Sequence, residues 1–159
     1  MRRPPWDEYF MEMADLVSNR STCLRKKVGA VIVKGKRVIA TGYNGTCIQG
    51  APHCIDTGIC ERDRLGVKSG TMYEIGDCTH GEASAILQCS KFGISTEGAT
   101  LYVNGLVCIL CAKMIVSSGI KRVVYIEEDD RPQNGIELLK KAKIELAQYT
   151  HTSCEARVS

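Results

Sequence analysis

The chain has 159 residues, 44% hydrophobic and 25% charged, which is apolar material enough for one packed core and excludes wholesale disorder. The 21 Lys and Arg exceed the 18 Asp and Glu by a formal +3, a weak and scattered excess that suits a phosphorylated small molecule better than a nucleic-acid scaffold. No apolar run approaches a membrane span, and Met1-Arg2-Arg3-Pro4-Pro5-Trp6-Asp7 has no apolar run behind its arginines, so the sequence reads as cytoplasmic, partnered by neither membrane nor nucleic acid.

Asp7 to Arg20 reads as an amphipathic helix, with Phe10, Met13, Ala14 and Val17 at helical spacing. Val28 to Val33 and Val38 to Thr41 read as strands broken by Lys34-Gly35-Lys36, hence a hairpin, with Gly42-Tyr43-Asn44-Gly45 turning at its end. Residues 46 to 79 break the pattern. Four of the nine cysteines lie there with His53 and little periodicity, and so long an irregular segment needs a reason to be ordered, such as a metal, or is a mobile surface insertion. Glu82 to Lys91 reads as a helix, Thr100 to Val103 as a strand and Cys108 to Ser118 as a helix ended by Gly119. Arg122 to Ile126 (strand), Gly135 to Ala142 (helix) and Ile144 to Tyr149 (strand) complete an alternation expected of a single α/β layer domain over 1–159, with a cysteine-rich insertion at about 46–79.

The chemistry concentrates in His80, Glu82, Cys108 and Cys111. Positions three apart share a helix face, so Cys108 and Cys111 can meet one ion, and the unpaired amides of a first helical turn favour thiolates. His80 opens the preceding helix and offers a third ligand. Two sulfurs and one nitrogen suit zinc and leave a fourth position for water, as in a catalytic site. Glu82 need not bind metal; beside that water it can move protons. Cys-x-x-Cys alone fits structural zinc or thiol redox chemistry equally well. The order His-x-Glu followed by Cys-x-x-Cys is that of zinc deaminases.

Beyond these four residues the sequence resembles deoxycytidylate (dCMP) deaminase, a branch of the cytidine deaminase superfamily. The resemblance runs from Trp6-Asp7-Glu8-Tyr9-Phe10 through Arg20-Ser21-Thr22-Cys23, Val28-Gly29-Ala30-Val31-Ile32-Val33, Thr41-Gly42-Tyr43-Asn44-Gly45, Gly98-Ala99-Thr100-Leu101-Tyr102-Val103 and Cys111-Ala112-Lys113-Met114 to Arg122-Val123-Val124-Tyr125. It implies a three-layer fold with a mixed five-stranded sheet, zinc on His80, Cys108 and Cys111, Glu82 as proton shuttle, and hydrolysis of dCMP to dUMP and ammonia. It also implies a homo-oligomer, usually a hexamer, with dCTP and dTTP as effectors and magnesium accompanying the nucleotide.

Three residues depart from the family pattern: Gly81 for alanine, Val107 for proline before the first cysteine, and Asn104 where a threonine is usual. Gly81 and Asn104 are therefore candidates for altered substrate contact. Asn44 can read a sugar hydroxyl or a pyrimidine edge, or serve the turn alone. Arg20, Ser21, Thr22 and Arg25 are candidate phosphate donors, and Tyr125 either packs near the base or closes the core. Cys23, Cys54, Cys60 and Cys78, with His53 as substitute, form a candidate second zinc site, since a further zinc is found in some family members; the alternative is scattered free thiols. Cys47, Cys89 and Cys154 look unattached. Two other readings compete with dCMP deamination. One is a deaminase of a modified cytidylate, a nucleoside or another amino-ring substrate. The other is a non-catalytic nucleotide-binding regulatory protein, which the presence of Glu82 disfavours.

Overall fold

The computed structural model describes residues 3–127 and 131–151. A helix, α1 (Trp6–Ser18), precedes a hairpin of β1 (Gly29–Lys34) and β2 (Arg37–Tyr43). After the insertion come α4 (Gly81–Lys91), β5 (Thr100–Val103), α5 (Ile109–Ser117), β6 (Arg122–Tyr125), α6 (Asn134–Lys141) and β7 (Glu145–Gln148). The five strands form one sheet in the order β2-β1-β5-β6-β7. β1 is antiparallel to β2 and β5, whereas β5, β6 and β7 run parallel, so the sheet is mixed.

Side-chain alternation along the strands explains the layers, because successive residues point to opposite faces. Val31 and Val33 of β1, Tyr102 of β5 and Val124 of β6 pack with Phe10, Met11 and Ala14 of α1. Their neighbours Ala30, Ile32, Leu101, Val103 and Val123 pack on the other face with Ala85 and Ile86 of α4, Ile115 of α5 and Leu139 of α6. The β-branched runs of β1 and β6 are thus buried on both faces, as expected of central strands covered by helices. The hairpin turn places Gly35 at φ 56° and Lys36 at φ 61°, the pair of positive φ values a two-residue turn of this hand requires.

The expected elements are all present, with ends shifted by one or two residues. α1 stops at Ser18 because the chain tightens there: Asn19 and Arg20 donate their N–H groups to Leu16 and Val17, three residues back. Asp7, in the first turn of α1, joins three elements. Arg122 of β6 binds its carboxylate through two nitrogens at 2.8 and 2.7 Å, and the Tyr102 hydroxyl donates to it at 2.9 Å. The Arg122 hydrogen bonds hold the Asp7 carboxyl below the ordinary carboxylate range. The stability so gained is present above the unfolded carboxylate value of about 3.9 and is lost as pH falls through the lower folded value. Asp7→Asn should therefore cost about 1 kcal/mol at pH 7, a modest figure for a pair open to solvent. Urea midpoints of parent and variant should draw together below about pH 4; a gap that persists in acid would contradict this assignment.

Within residues 46–79 the chain forms two single-turn helices, α2 (Cys54–Thr57) and α3 (Glu61–Arg64). The two-residue strands β3 (Gly45–Thr46) and β4 (Cys78–Thr79) pair antiparallel and close the base of the insertion. Cys78 of β4 stands two residues ahead of His80, so the insertion leads directly into α4.

Candidate active site

His80 and Cys108 are the N-cap residues of α4 and α5, both in extended conformation. A helix N-terminus leaves backbone N–H groups unpaired and carries partial positive charge, so two such ends aimed together favour anionic ligands. The Cys111 N–H already points at the Cys108 sulfur, 3.5 Å away. The His80 Nδ1 lies 3.3 Å from the Cys108 sulfur and 3.7 Å from that of Cys111. Among the described residues these are the one trio of such side chains whose ligand atoms all lie within 4.8 Å of one another. Bonds of about 2.1 Å from nitrogen and 2.3 Å from sulfur, arranged tetrahedrally, put these atoms about 3.6 Å apart, so the spacing fits zinc.

The electrostatics agree with a metal-ready donor set. Hydrogen bonds from Cys111 and then His80, against the opposing effect of burial, bring Cys108 down to about 4; Cys111, which keeps the proton next to that thiolate, is pushed up. Burial alone would lower His80, but the Cys108 hydrogen bond and the Glu82 charge raise it. Glu82, in the first turn of α4, is 2% exposed, and its burial raises its pKa. Tyr73 of the insertion stands edge-on to the His80 ring, centroids 5.4 Å apart.

His80, Glu82, Cys108 and Tyr73 line a cleft of about 570 Å³ together with Val28, Leu106 and residues of the insertion. Asn44 reaches the cleft, buried, with a second duty: its side-chain oxygen accepts the Gly81 N–H at 2.7 Å and its amide donates to the Lys26 carbonyl at 3.1 Å. Arg25 also lines the cleft. The other expected substrate residues do not. Arg20 is exposed on the tightened end of α1, away from the cleft lining. Ser21 is buried as a brace, its hydroxyl donating to the Asn44 carbonyl at 2.9 Å, and Thr22 is engaged with His53 Nδ1 at 3.0 Å. Asn104 faces α1, accepting the Gly29 N–H at 2.8 Å and donating to Asp15 at 3.0 Å. Tyr125 is 7% exposed, in the core under α6.

Gly81 lies outside the lining as well. A Cβ there would meet the Val28 and Gly42 carbonyls at 3.2 and 3.3 Å, so the missing methyl faces the sheet and not the substrate space. Val107 is fully buried, and its carbonyl would lie 2.2 Å from a Cβ at Gly135, so packing under α6 fixes the backbone where a proline would have stiffened it. Gly81→Ala should accordingly leave the KM for nucleotide within about twofold and shift stability by less than about 1 kcal/mol, because the helix-propensity gain opposes a tight contact. A large KM change in steady-state assays would return Gly81 to the substrate surface.

Cys78 is the meeting point of the insertion cysteines. Its sulfur is 3.7 Å from that of Cys54, and it hydrogen-bonds Cys23, whose pKa that bond lowers to about 5. Cys60 lines the same cleft, while His53 is taken up by Thr22. These cysteines touch in pairs and do not form a compact trio like that at His80. Residues that sequence reasoning missed include Arg62, Tyr73 and Arg131, all lining the cleft from the insertion or from beyond β6. Only the unusual run of charge in Glu61-Arg62-Asp63-Arg64 signalled any of them.

A histidine and two cysteines at converging helix ends, beside a buried glutamate and over a mixed sheet, constitute the layout of the zinc-dependent deaminases. Residues 4–127 match the family described as the cytidine and deoxycytidylate deaminase zinc-binding region, and the chain belongs to that family. The ComE operon protein 2 of Bacillus subtilis is 43% identical over 148 residues, 93% of this chain and 73% of that protein. The deoxycytidylate deaminase of Schizosaccharomyces pombe is 40% identical over 92% of this chain, which spans only 45% of that longer protein. The dCMP deaminase of cyanophage S-TIM5, solved with dCMP and dUMP, superposes with a TM-score of 0.75 at 28% identity, covering 94% of this chain and all of that one.

Proposed function

We propose that the chain deaminates dCMP hydrolytically, giving dUMP and ammonia. The observation that carries this reading is Glu82, buried beside three zinc-competent donors and lining a nucleotide-sized cleft. The cyanophage relative solved with dCMP and dUMP supports the choice of substrate. His80, Cys108 and Cys111 would hold zinc, which when bound supplies the Lewis acidity that brings the pKa of a water near neutrality. Glu82 takes a proton from the attacking water, passes one to the pyrimidine N3 and assists the amine as it leaves. At C4 a bond to oxygen forms and the bond to nitrogen breaks. A carboxyl whose pKa burial has raised suits this role, since it holds an abstracted proton more readily than an exposed carboxyl does. Val28 and Leu106 exclude water from the ring, and Asn44 keeps amide hydrogen-bonding capacity for the sugar.

The remaining elements of this reading rest on the family resemblance: a single deaminase domain across 1–159, a homo-oligomer such as a hexamer, and dCTP and dTTP effectors with magnesium. A cytoplasmic location belongs with them; no helix among the described residues is long and apolar enough to cross a membrane. A second zinc on Cys23, Cys54, Cys78 and Cys60 is supported by the 3.7 Å Cys54–Cys78 spacing, close to the roughly 3.8 Å edge of a zinc–thiolate tetrahedron.

Ammonia release from zinc-loaded protein should be fastest with dCMP among dCMP, CMP, dCTP, deoxycytidine and 5-substituted dCMP. Faster turnover of deoxycytidine would make the chain a nucleoside deaminase. Tight dCMP binding with no ammonia from any substrate would favour the regulatory reading.

A further inference from the structure

We infer that Gly42, near the end of β2, is a positioning residue for the metal end of the site: its missing side chain lets the first turn of α4 seat directly on the strand, and so sets His80 where it can share an ion with Cys108 and Cys111. The inference rests on the zinc reading above and not on the choice of substrate. A glycine inside a strand weakens it and needs a reason. Gly42 does not have a positive φ, so no left-handed turn requires it. It is buried in β2 and paired with Ala30 of β1. The reason is a close approach. A Cβ on Gly42 would lie 2.2 Å from the Gly81 carbonyl oxygen, 2.3 Å from the Ala85 nitrogen and 3.0 Å from the Ala85 Cα, all backbone atoms of α4. No side-chain rotamer relieves such a contact, so strand and helix must part. β2 is tied to β1 by six residue pairs, from Gly29–Tyr43 to Lys34–Arg37, so the helix gives way.

The part that would move is the turn that carries the chemistry. His80 is the N-cap of α4 and Glu82 its second residue, one on each side of Gly81. Asn44 registers the same turn along the strand, its side-chain oxygen accepting the Gly81 N–H at 2.7 Å. Cys108 and Cys111 belong to α5, whereas the atoms nearest a Gly42 Cβ are all in α4. A shift of α4 is therefore a shift of one ligand against the other two. The His80 Nδ1 now stands 3.3 and 3.7 Å from the two sulfurs, close to the tetrahedral zinc spacing. Relieving the contact to an ordinary distance takes about 1 Å, and a misplacement of that size costs roughly 10²-fold in rate. Gly29 of β1 supplies the contrast. A Cβ there would lie 2.2 Å from the Ala14 carbonyl oxygen and 2.4 Å from the Ser18 nitrogen of α1. The contact is as tight, but α1 carries none of the three metal ligands.

The test compares parent, Gly42→Ala, Gly29→Ala and Asn44→Ala, each loaded with cadmium-113, whose NMR shift separates a site of two sulfurs and one nitrogen from an all-sulfur site. Chelator titration of the His80 signal reads the affinity of that site. Gly42→Ala should weaken it roughly 10- to 100-fold, the usual cost of losing the support behind a ligand. With zinc, its dCMP turnover should lose more in kcat than in KM. Gly29→Ala should lose comparable thermal stability and keep the metal. Asn44→Ala adds no volume and should weaken the metal in the same direction, which reads the seat of α4 if Gly42→Ala does not fold. Parent-like affinity in Gly42→Ala, or an equal loss in Gly29→Ala, overturns the proposal. So does parent-like affinity in Asn44→Ala where Gly42→Ala does not fold. A parent that holds the metal and releases no ammonia refutes the deaminase reading alone, since the affinities still decide the role of Gly42. A parent without a signal from a site of two sulfurs and one nitrogen overturns both.

Discussion

Glu82→Gln should leave the protein folded and loaded with zinc at His80, Cys108 and Cys111, yet slow dCMP deamination by at least roughly 10²–10⁴-fold, the usual worth of general acid–base catalysis. Glutamine matches the side chain in size and fills the same site, which is 2% exposed, so packing is preserved. It removes the only feature the mechanism uses, a carboxyl that accepts and returns a proton. Because the buried carboxylate is costly to ionise, the variant should unfold at a temperature no lower than the parent. Cys108→Ser separates the two functions. Serine is a good N-cap residue and can keep α5 in register, but the thiolate ligand is gone, so metal and activity should be lost together. Zinc analysis alongside single-substrate kinetics reads both outcomes. Near-normal turnover by Glu82→Gln at full zinc occupancy would place the proton transfers on another group.

The metal end of the site was legible in the sequence because its geometry is local. A histidine or cysteine at the first residue of a helix already implies where its side chain points, and Cys108 and Cys111 share a helix face by spacing alone. The sheet was legible for a similar reason, since the β-branched runs at Gly29–Lys34 and Arg122–Tyr125 have the length and composition of buried strands. The substrate end was not legible, because its contacts join segments far apart in the chain. Asn104 lies near the cysteine loop in sequence yet is drawn to Asp15 of α1, 89 residues away. Thr22, in a stretch that resembles a binding motif, is turned to His53. Gly81 sits between His80 and Glu82, but its absent methyl would face the backbone of Val28 and of β2. Tyr73 falls in a segment without periodicity, yet it stands edge-on to the His80 ring.

The insertion's own order is expected to depend on Cys78. Purified parent should hold two zinc ions per chain, and Cys78→Ser one, with the insertion becoming sensitive to protease while α4 and α5 stay protected. The Cys78 sulfur is the shared neighbour of Cys23 and Cys54. Substituting it therefore removes the central contact and not a peripheral one. Residues 46–79 offer few apolar anchors of their own; Ile48, Ile55, Ile59 and Leu65 are all exposed, so burial alone gives the segment little stability. A closed four-ligand zinc site can supply it, because the binding free energy of structural zinc is on the order of 10 kcal/mol in small domains and acts as folding free energy. Loss of that order should reach the cleft through Tyr73, which stands against His80, raising the KM for dCMP more than it lowers the turnover of bound substrate. His80 follows Cys78 by two residues, so the catalytic zinc must be counted separately, by its resistance to a chelator in the variant. One zinc per parent chain, with Cys23, Cys54 and Cys78 freely alkylated in the folded protein, would show that the thiols cluster without a metal. The ordering of the insertion would then rest on Arg25, Arg62 and the β3–β4 pair.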